Sequence, residues 1–525
     1  MFTKKSISRT FSVLFVIIFM LSFIPGQPAH AAGTRYAAPG GTGDCSDWDH
    51  ACDLQTALTG AASGDEIWVK AGTYKPTTNP ADRNATFQLK SGVGLYGGFD
   101  GLETTRDERD PAVNVTILSG DLTGDDVGFT NNAENVYHVV TGATGATLDG
   151  FTVTGGNADG TNPNDRGGGM DNWSSRPTLT NLTFSGNSAT YGGGIFNENN
   201  SNPMLTEVTF SNNAATTSGG GMFNFSSSPA LTNVTFSSNS AGFGGGMYNY
   251  SGSSPSLTNL TFSSNSATTS GGGMYNYSSN PTLTNVTFGS NSASYGGGMY
   301  NYSSSPLIRN TVFWGNTAPD GGAQIYNETS TPILSDSVVQ DGCPAGSTCT
   351  NIITASPLLG TLGSYGGFTQ TIPLLPGSSA LRGGNGAYCP AHDQRGEIRS
   401  TPNCDIGAYE SQGFSLSISG GNNQSAGRNS GFVNPLSVTV APLNTGEPVD
   451  GGQVTYTAPV SGASAVISGS PATISAGAAS VTATANNILG AYNVSASIPA
   501  ASPVSFSLEN IISKTYTLFL PLVLR

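Results

Sequence analysis

From residue 167 onward, apolar side chains return in one fixed order, separated by small polar residues. In Leu231-Thr232-Asn233-Val234-Thr235-Phe236-Ser237-Ser238-Asn239, Val234 and Phe236 stand two apart, the spacing of a strand with one covered face. A glycine triplet, Gly244-Gly245-Gly246, then leads into Met247-Tyr248-Asn249-Tyr250, a second β-rich run. The phrase recurs seven times: Pro177, Pro203, Pro229, Pro255 and Pro281 lie 26 residues apart, and Pro306 and Pro332 close the run. A fixed period of this length implies units that bury an apolar face only by stacking on their neighbours.

Two folds compete for such a unit. Leu179-x-x-Leu182-x-Phe184-x-x-Asn187 fits the leucine-rich-repeat phrase, which requires a helical turn in the rest of each unit. Three adjacent glycines oppose that turn, since each costs about 1 kcal/mol in a helix. The pattern therefore predicts an all-β fold, a right-handed parallel β-helix with two strands per coil. A corner falls at Thr232-Asn233 and the glycines permit another. Stacking turns each position into a column: Phe184 to Phe313, Met170 to Ile325, and two of asparagine, Asn187 to Asn316 and Asn172 to Asn327. A stacked asparagine bonds its own corner and its neighbour.

The Phe-x-x-Asn and Gly-Gly-x-Ile/Met pairs resemble the repeats of the chlamydial polymorphic outer-membrane proteins, over about 160 residues from Gly167 to Asn327. That resemblance implies a β-helical surface adhesin. Upstream, Asp53-Leu54-Gln55-x-Ala57-Leu58 and Gly64-Asp65-Glu66-Ile67-Trp68-Val69 resemble the opening of pectate-lyase-like β-helices, with a short helix over the apolar end of the stack. Irregular coils are expected at Phe87–Leu89, Gly94–Phe99, Val115–Leu118, Tyr137–Val140 and Leu148–Val153. Roughly ten coils at ~4.8 Å each give a rod about 50 Å long. Downstream, Leu374-Leu375-Pro376-Gly377-Ser378, Asp393-Gln394-Arg395-Gly396 and Cys404-Asp405-Ile406-Gly407-Ala408-Tyr409-Glu410 resemble the choice-of-anchor Q module, which implies display outside the cell. Its charges, Asp393, Arg395, Asp405 and Glu410, read as a structural ion-pair network rather than a site. Short alternating strands after it, such as Leu436-x-Val438-x-Val440, suit a small β-sandwich and resemble bacterial Ig-like stalk modules.

The expected organisation is a signal peptide (1–31), a β-helix with its N-terminal cap (32–340, regular repeats 167–332), and a C-terminal cap or anchor module (341–411). An Ig-like sandwich (412–510) and an apolar tail (511–525), either an edge strand or a sorting signal, complete it. Lys4, Lys5 and Arg9, an apolar run and Ala29-His30-Ala31 carry the signal-peptide reading; cleavage takes the net charge from −14 to −17. Such an acidic balance argues against nucleic acid and anionic lipid as partners. No later stretch is long and apolar enough for a membrane-spanning helix. Six cysteines in close pairs, Cys45 with Cys52, Cys343 with Cys349 and Cys389 with Cys404, favour disulfides over metal sites in an exported chain.

Candidate chemistry is sparse. Between Asn172 and Ile308 the charged side chains are Arg176, Glu198 and Glu207, and the two glutamates fall on different faces. The regular coils are expected to carry no catalytic machinery. Twelve carboxylates crowd Asp100–Asp165, with His138 the nearby imidazole. There Asp121, Asp125 and Asp126 read either as a solvated acidic loop or as a calcium site. The pairs Phe223/Phe225, Tyr248/Tyr250, Tyr275/Tyr277 and Tyr300/Tyr302 flank the second asparagine column, and alternation puts the first ring of each pair outside. Rings at ~4.8 Å steps either stack on one another or bind an extended glycan. The expected function is an exported, non-enzymatic surface β-helix that contacts polysaccharide or a neighbouring cell surface. The alternative is a polysaccharide lyase or glycoside hydrolase with its site on the irregular coils.

Overall fold

The structure, a computed structural model, describes residues 33–512; the expected signal peptide and nearly all of the apolar tail lie outside the described residues. Three parallel sheets run side by side along a solenoid. One regular coil contributes Ala230–Ser237 to the first sheet, Ser240–Phe243 to the second and Met247–Tyr250 to the third. Nine strands form the third sheet, close to the ten coils expected.

Two strands per coil were expected and three are found. The second-sheet strands are mostly Ser, Ala, Gly and Thr, the four-residue ones ending in Tyr191 and Phe243; in each the one buried apolar side chain is an alanine (Ala189, Ala215, Ala241, Ala267). One small inward side chain gives almost no period-two signal. The second sheet also alternates in length, four residues in Ser240–Phe243 and five in Ser266–Ser270, with register shifts between them. Third-sheet asparagines are accordingly 25 and 27 residues apart in turn, although the prolines keep their period.

First-sheet strands bend where a left-handed residue sits, Asn233 at φ 57° and Asn259 at φ 58°, a conformation asparagine tolerates. Beyond the bend, phenylalanines stack inside the solenoid: Phe210–Phe236 and Phe236–Phe262 have centroids 4.6 and 4.8 Å apart, nearly parallel. Met222, Met247, Met274 and Met299 face them with no exposure. The glycine triplet answers two separate demands. Gly244 is left-handed, at φ +62°; Gly245 is not, but a Cβ there would lie 2.3 Å from the Ser266 carbonyl oxygen of the next coil.

Both asparagine columns lie inside and are buried, apart from Asn327 at the last coil. Asn239 Oδ1 accepts the backbone N–H of Asn213 at 3.0 Å and its Nδ2 at 3.0 Å, while Asn239 Nδ2 donates to the Phe210 carbonyl at 2.9 Å. In the third-sheet column each amide makes one contact per step; Asn224 Nδ2 donates to Asn249 Oδ1 at 2.9 Å, and Asn249 Nδ2 to Asn276 Oδ1 at 2.9 Å.

At the N-terminal end, helix Leu54–Gly60 is capped by Asp53, which accepts from Thr56 N–H at 2.9 Å, and Leu54, Ala57 and Leu58 join the solenoid core. Among the irregular coils, Thr147–Asp149 and Thr152–Thr154 are separate strands divided by Gly150 at φ 85°, and Val140–Thr141 begins after His138 rather than including it. At the other end the first sheet continues beyond residue 340 into Thr348–Ile353, paired with Ile333–Val339. Within residues 341–411, expected as a C-terminal cap or anchor module, residues 356–411 run as a strap along the flank of the first sheet. Thr261 Oγ1 donates to Gln394 Oε1 at 2.7 Å, Asn259 Nδ2 to the His392 carbonyl at 2.9 Å, and Asn285 Nδ2 to the Asp405 carbonyl at 3.0 Å. The outward threonines Thr235, Thr261 and Thr287 are buried for that reason. Beyond the strap, a four-stranded and a five-stranded sheet, mostly antiparallel, form a small β-sandwich with one apolar core.

Asn239→Ala removes the acceptor of the Asn213 backbone N–H, one of the two acceptors of the Asn213 amide, and the donors to the Phe210 carbonyl and Asn265 Oδ1, so it should cost about 3 kcal/mol. Asn249→Ala removes fewer bonds and should cost about half as much. Urea unfolding of both variants checks the order; equal losses would contradict it.

Candidate functional site

The outer face of the third sheet holds the aromatic side chains. Met247 and Asn249 point in, so Tyr248 and Tyr250 point out, and parallel register repeats this from coil to coil. The inner column runs Phe196, Phe223, Tyr248, Tyr275, Tyr300, Tyr326, with successive centroids 4.8 to 5.1 Å apart. These rings lie outside the core, as alternation requires, yet they close over one another; Phe223, Tyr275 and Tyr300 are each 7% exposed. Phe243 of the second sheet also covers Tyr275, at 5.7 Å. Burial pushes the Tyr275 hydroxyl up to about 12. The first rings are thus a structural stack rather than an open platform. The outer column, Phe225, Tyr250, Tyr277 and Tyr302, is half-buried, with centroids 4.8 to 5.3 Å apart, and its rings are the accessible ones.

Carboxylates terminate both columns. In register, Asp171 precedes Phe196 in the inner column, and Trp173 and Glu198 precede Phe225 in the outer one, whose far end is Glu328 beyond Tyr302. At the head of the columns a cavity of about 190 Å³ opens, with Tyr191, Phe196, Phe223, Phe225 and Tyr250 as its rings and Asn162, Asp165, Arg166 and Glu198 as its polar wall. The buried Arg166 guanidinium pairs with Glu198, places Nε 3.7 Å from Asp171 Oδ1, and lies over the rings of Trp173 and Phe196 at 5.0 and 5.2 Å. Burial raises the Asp171 carboxyl above its usual range against the pull of His138 and Arg166, and burial likewise raises Glu198 against Arg166. Asp165 Oδ1, Asp171 Oδ1 and Arg166 Nε are buried without a hydrogen-bond partner. His138 Nδ1 lies 3.2 Å from the Gly167 carbonyl.

Sequence reasoning misses this cluster, because it places Glu198 among uncharged coils and leaves Asp171 and Arg166 aside. A signal is present all the same: Asp171 and Glu198 stand at column positions that later coils give to aromatic residues. Glu207, by contrast, occupies a left-handed corner of the first sheet, away from Glu198 as expected.

In the acidic loop the structure brings together Asp121, Asp126 and Glu134, with carboxylate oxygens within 4.8 Å of one another. Asp125, expected in this group, accepts from Thr123, whose hydroxyl also meets Glu134 Oε1 at 2.8 Å, and Glu134 stands in the group in its place. This is an oxygen-donor set of the kind hard cations accept. Burial raises the Asp126 carboxyl, and the charges of Asp121 and Glu134 add to the rise, against a 2.7 Å hydrogen bond from Asn135 Nδ2.

The strap's charges form a closed network. Arg395 pairs with Asp393 at 2.9 Å and lies over the Tyr409 ring at 3.6 Å, while Arg399 pairs with Glu410 at 3.1 Å; all are nearly inaccessible. Asp405, held well above its usual range by burial and by Glu410, accepts from the Arg382 and Ser411 N–H groups at 2.7 Å each. Buried and mutually satisfied, these groups hold the strap together rather than offer chemistry. The three cysteine pairs are joined as expected: Cys45–Cys52, Cys343–Cys349 and Cys389–Cys404.

A raised carboxyl costs stability at neutral pH and gives it back as pH falls through the raised value. Asp126→Asn should therefore melt above the unsubstituted protein at pH 7, with the gap closing toward about pH 4. Thermal midpoints across that range check this; a constant or reversed gap would refute it.

No curated protein matches the chain in sequence. Residues 232–351 match the family described as right handed beta helix region, and residues 181–198 match the Chlamydia polymorphic membrane protein repeat. Among solved structures the chain is similar to pectate lyase Pel9A, at 13% identity and TM-score 0.43 over 72% of this chain and 96% of that one. It is also similar to XylC in complex with xylose, at 9% identity and TM-score 0.35 over 72% of this chain and 98% of that one. The sheets and the two family matches together make the chain a right-handed parallel β-helix whose coils are similar to the polymorphic membrane protein repeat.

Proposed function

We propose that this β-helix is exported, is displayed outside the cell, and holds an extended glycan against the outer face of its third sheet without transforming it. One observation carries the reading: Phe225, Tyr250, Tyr277 and Tyr302 form an accessible row of rings at near-coil spacing on coils that bear almost no charge. Aromatic faces suit the apolar faces of sugars, and an uncharged rod does not compete for them with ionic contacts. Three disulfides and the matched repeat support an extracellular setting. Among the described residues no helix is long and apolar enough to cross a membrane. The resemblance of residues 341–411 to choice-of-anchor Q and of 412–510 to Ig-like stalks supports display.

A second reading, hydrolysis or elimination on a polysaccharide, is favoured by Asp171 and Glu198, two carboxyls raised by burial around one arginine. General acid catalysis uses such groups. New reducing ends or unsaturated products from incubation with neutral and acidic polysaccharides would establish it over the first.

Replacing Tyr250, Tyr277 and Tyr302 with Ser should abolish retardation in polysaccharide-containing gels. Replacing the more deeply buried Tyr275 and Tyr300 should lower the melting midpoint more per ring than the outer-column change does. Retardation unaffected by the outer-column variant would overturn the glycan-contact reading.

A further inference from the structure

We propose that the cavity at the head of the aromatic columns is a saccharide subsite for uncharged or amino sugars, and that it rejects uronates. The inference rests on the glycan-contact reading and names the sugar class that reading leaves open.

Charge comes first. Asp165 and Glu198 line the cavity with Arg166, and Asp171 stands behind them 3.7 Å from the same guanidinium, a formal excess of two negative charges. That guanidinium is already engaged: Glu198 pairs with it, Asp171 stands 3.7 Å from its Nε, and the rings of Trp173 and Phe196 lie against it. It is not free to receive a ligand carboxylate, and a uronate would meet the surplus carboxylates in a partly desolvated space where repulsion is weakly screened.

Hydrogen bonding points the same way. Asp165 Oδ1 is buried and has no donor within the protein. A buried acceptor without a partner is costly, and a sugar hydroxyl or an ammonium supplies the missing donor. Opposite this wall, Phe225 and Tyr250 offer ring surface to the apolar face of the same sugar.

Size and continuity complete the case. About 190 Å³ is below the range of pockets for drug-sized molecules and suits one sugar unit. Phe225 and Tyr250 belong both to the cavity and to the outer column, so a glycan lying on Tyr277 and Tyr302 leads directly into it.

The test is isothermal titration of the secreted chain with cellohexaose, xylohexaose, a chitosan hexamer and hexagalacturonate. At least one neutral or amino hexasaccharide should bind about tenfold or more tightly than hexagalacturonate. Asp165→Asn should weaken the preferred ligand about tenfold without moving the melting midpoint, because the atom it changes has no partner in the fold. Tyr277→Ser with Tyr302→Ser, outside the cavity, should lower affinity for all ligands and leave their order intact. Preference for hexagalacturonate, or unchanged affinity in Asp165→Asn, would overturn this inference while sparing the glycan-contact reading. Failure of every saccharide to bind would overturn both. The preference measured on the unsubstituted protein decides the matter even should a variant fold poorly.

Discussion

In-register stacking of one coil on the next is the constraint on which the rest of the molecule depends. A single coil would leave a phenylalanine, a methionine and two asparagines facing water or an apolar void. Stacked, Phe236 finds Phe210 below and Phe262 above, and the Asn239 amide is satisfied by the neighbouring coils. The asparagines bear on register directly. A slip of one residue would take each buried amide out of line with its partner amide, so the columns penalise misalignment beyond hydrophobic contact alone. Glycines such as Gly245 serve the same end, since any side chain there would meet the backbone of the adjacent coil.

A column that repeats inside must also repeat outside. Once Met247 and Asn249 are fixed inward, Tyr248 and Tyr250 have one direction left, and every coil adds rings to the same rows. In the inner row the stacking is uninterrupted, and the rings cover one another and become structure. Charge gathers where the repeat breaks. The break at Asp171 and Glu198 replaces rings with carboxylates, draws in Arg166 from the preceding loop, and leaves buried polar atoms unsatisfied. Buried unsatisfied groups are uncommon in native folds, and here three fall in one cluster.

The repeats were legible because identical side chains recur at a period no helix-bearing unit with three central glycines would keep. The first and third sheets, the inward Phe and Met columns and the Asp53-capped helix follow from that periodicity and from capping chemistry. The second sheet was not legible, since one inward alanine per strand carries too little contrast. Nor was the strap's position: the sequence marks residues 356–411 as different from the repeats, but the contacts that lay them on the flank, such as Thr261 with Gln394, span more than a hundred residues. The cavity was hidden for a related reason. Asp165, Arg166, Asp171 and Glu198 straddle the boundary between irregular and regular coils, and counting charge within the repeats separates residues that stacking joins.

The strap also bears on which face is left to act. Along the coils around Thr235 to Thr287 it covers the bent half of the first sheet and buries the threonines that would otherwise present a hydroxyl-rich surface. The second sheet shows mostly small residues, with Tyr191 and Phe243 turned toward the rings of the third sheet. The third sheet is the one left open at length, and it carries the large side chains. An arrangement built for stability alone would have closed the outer ring column as the inner one is closed. Instead Tyr250, Tyr277 and Tyr302 stay half-buried beside more fully covered neighbours, so the same sheet supplies both the mutual stacking that holds the rod and a separate row whose rings remain partly accessible.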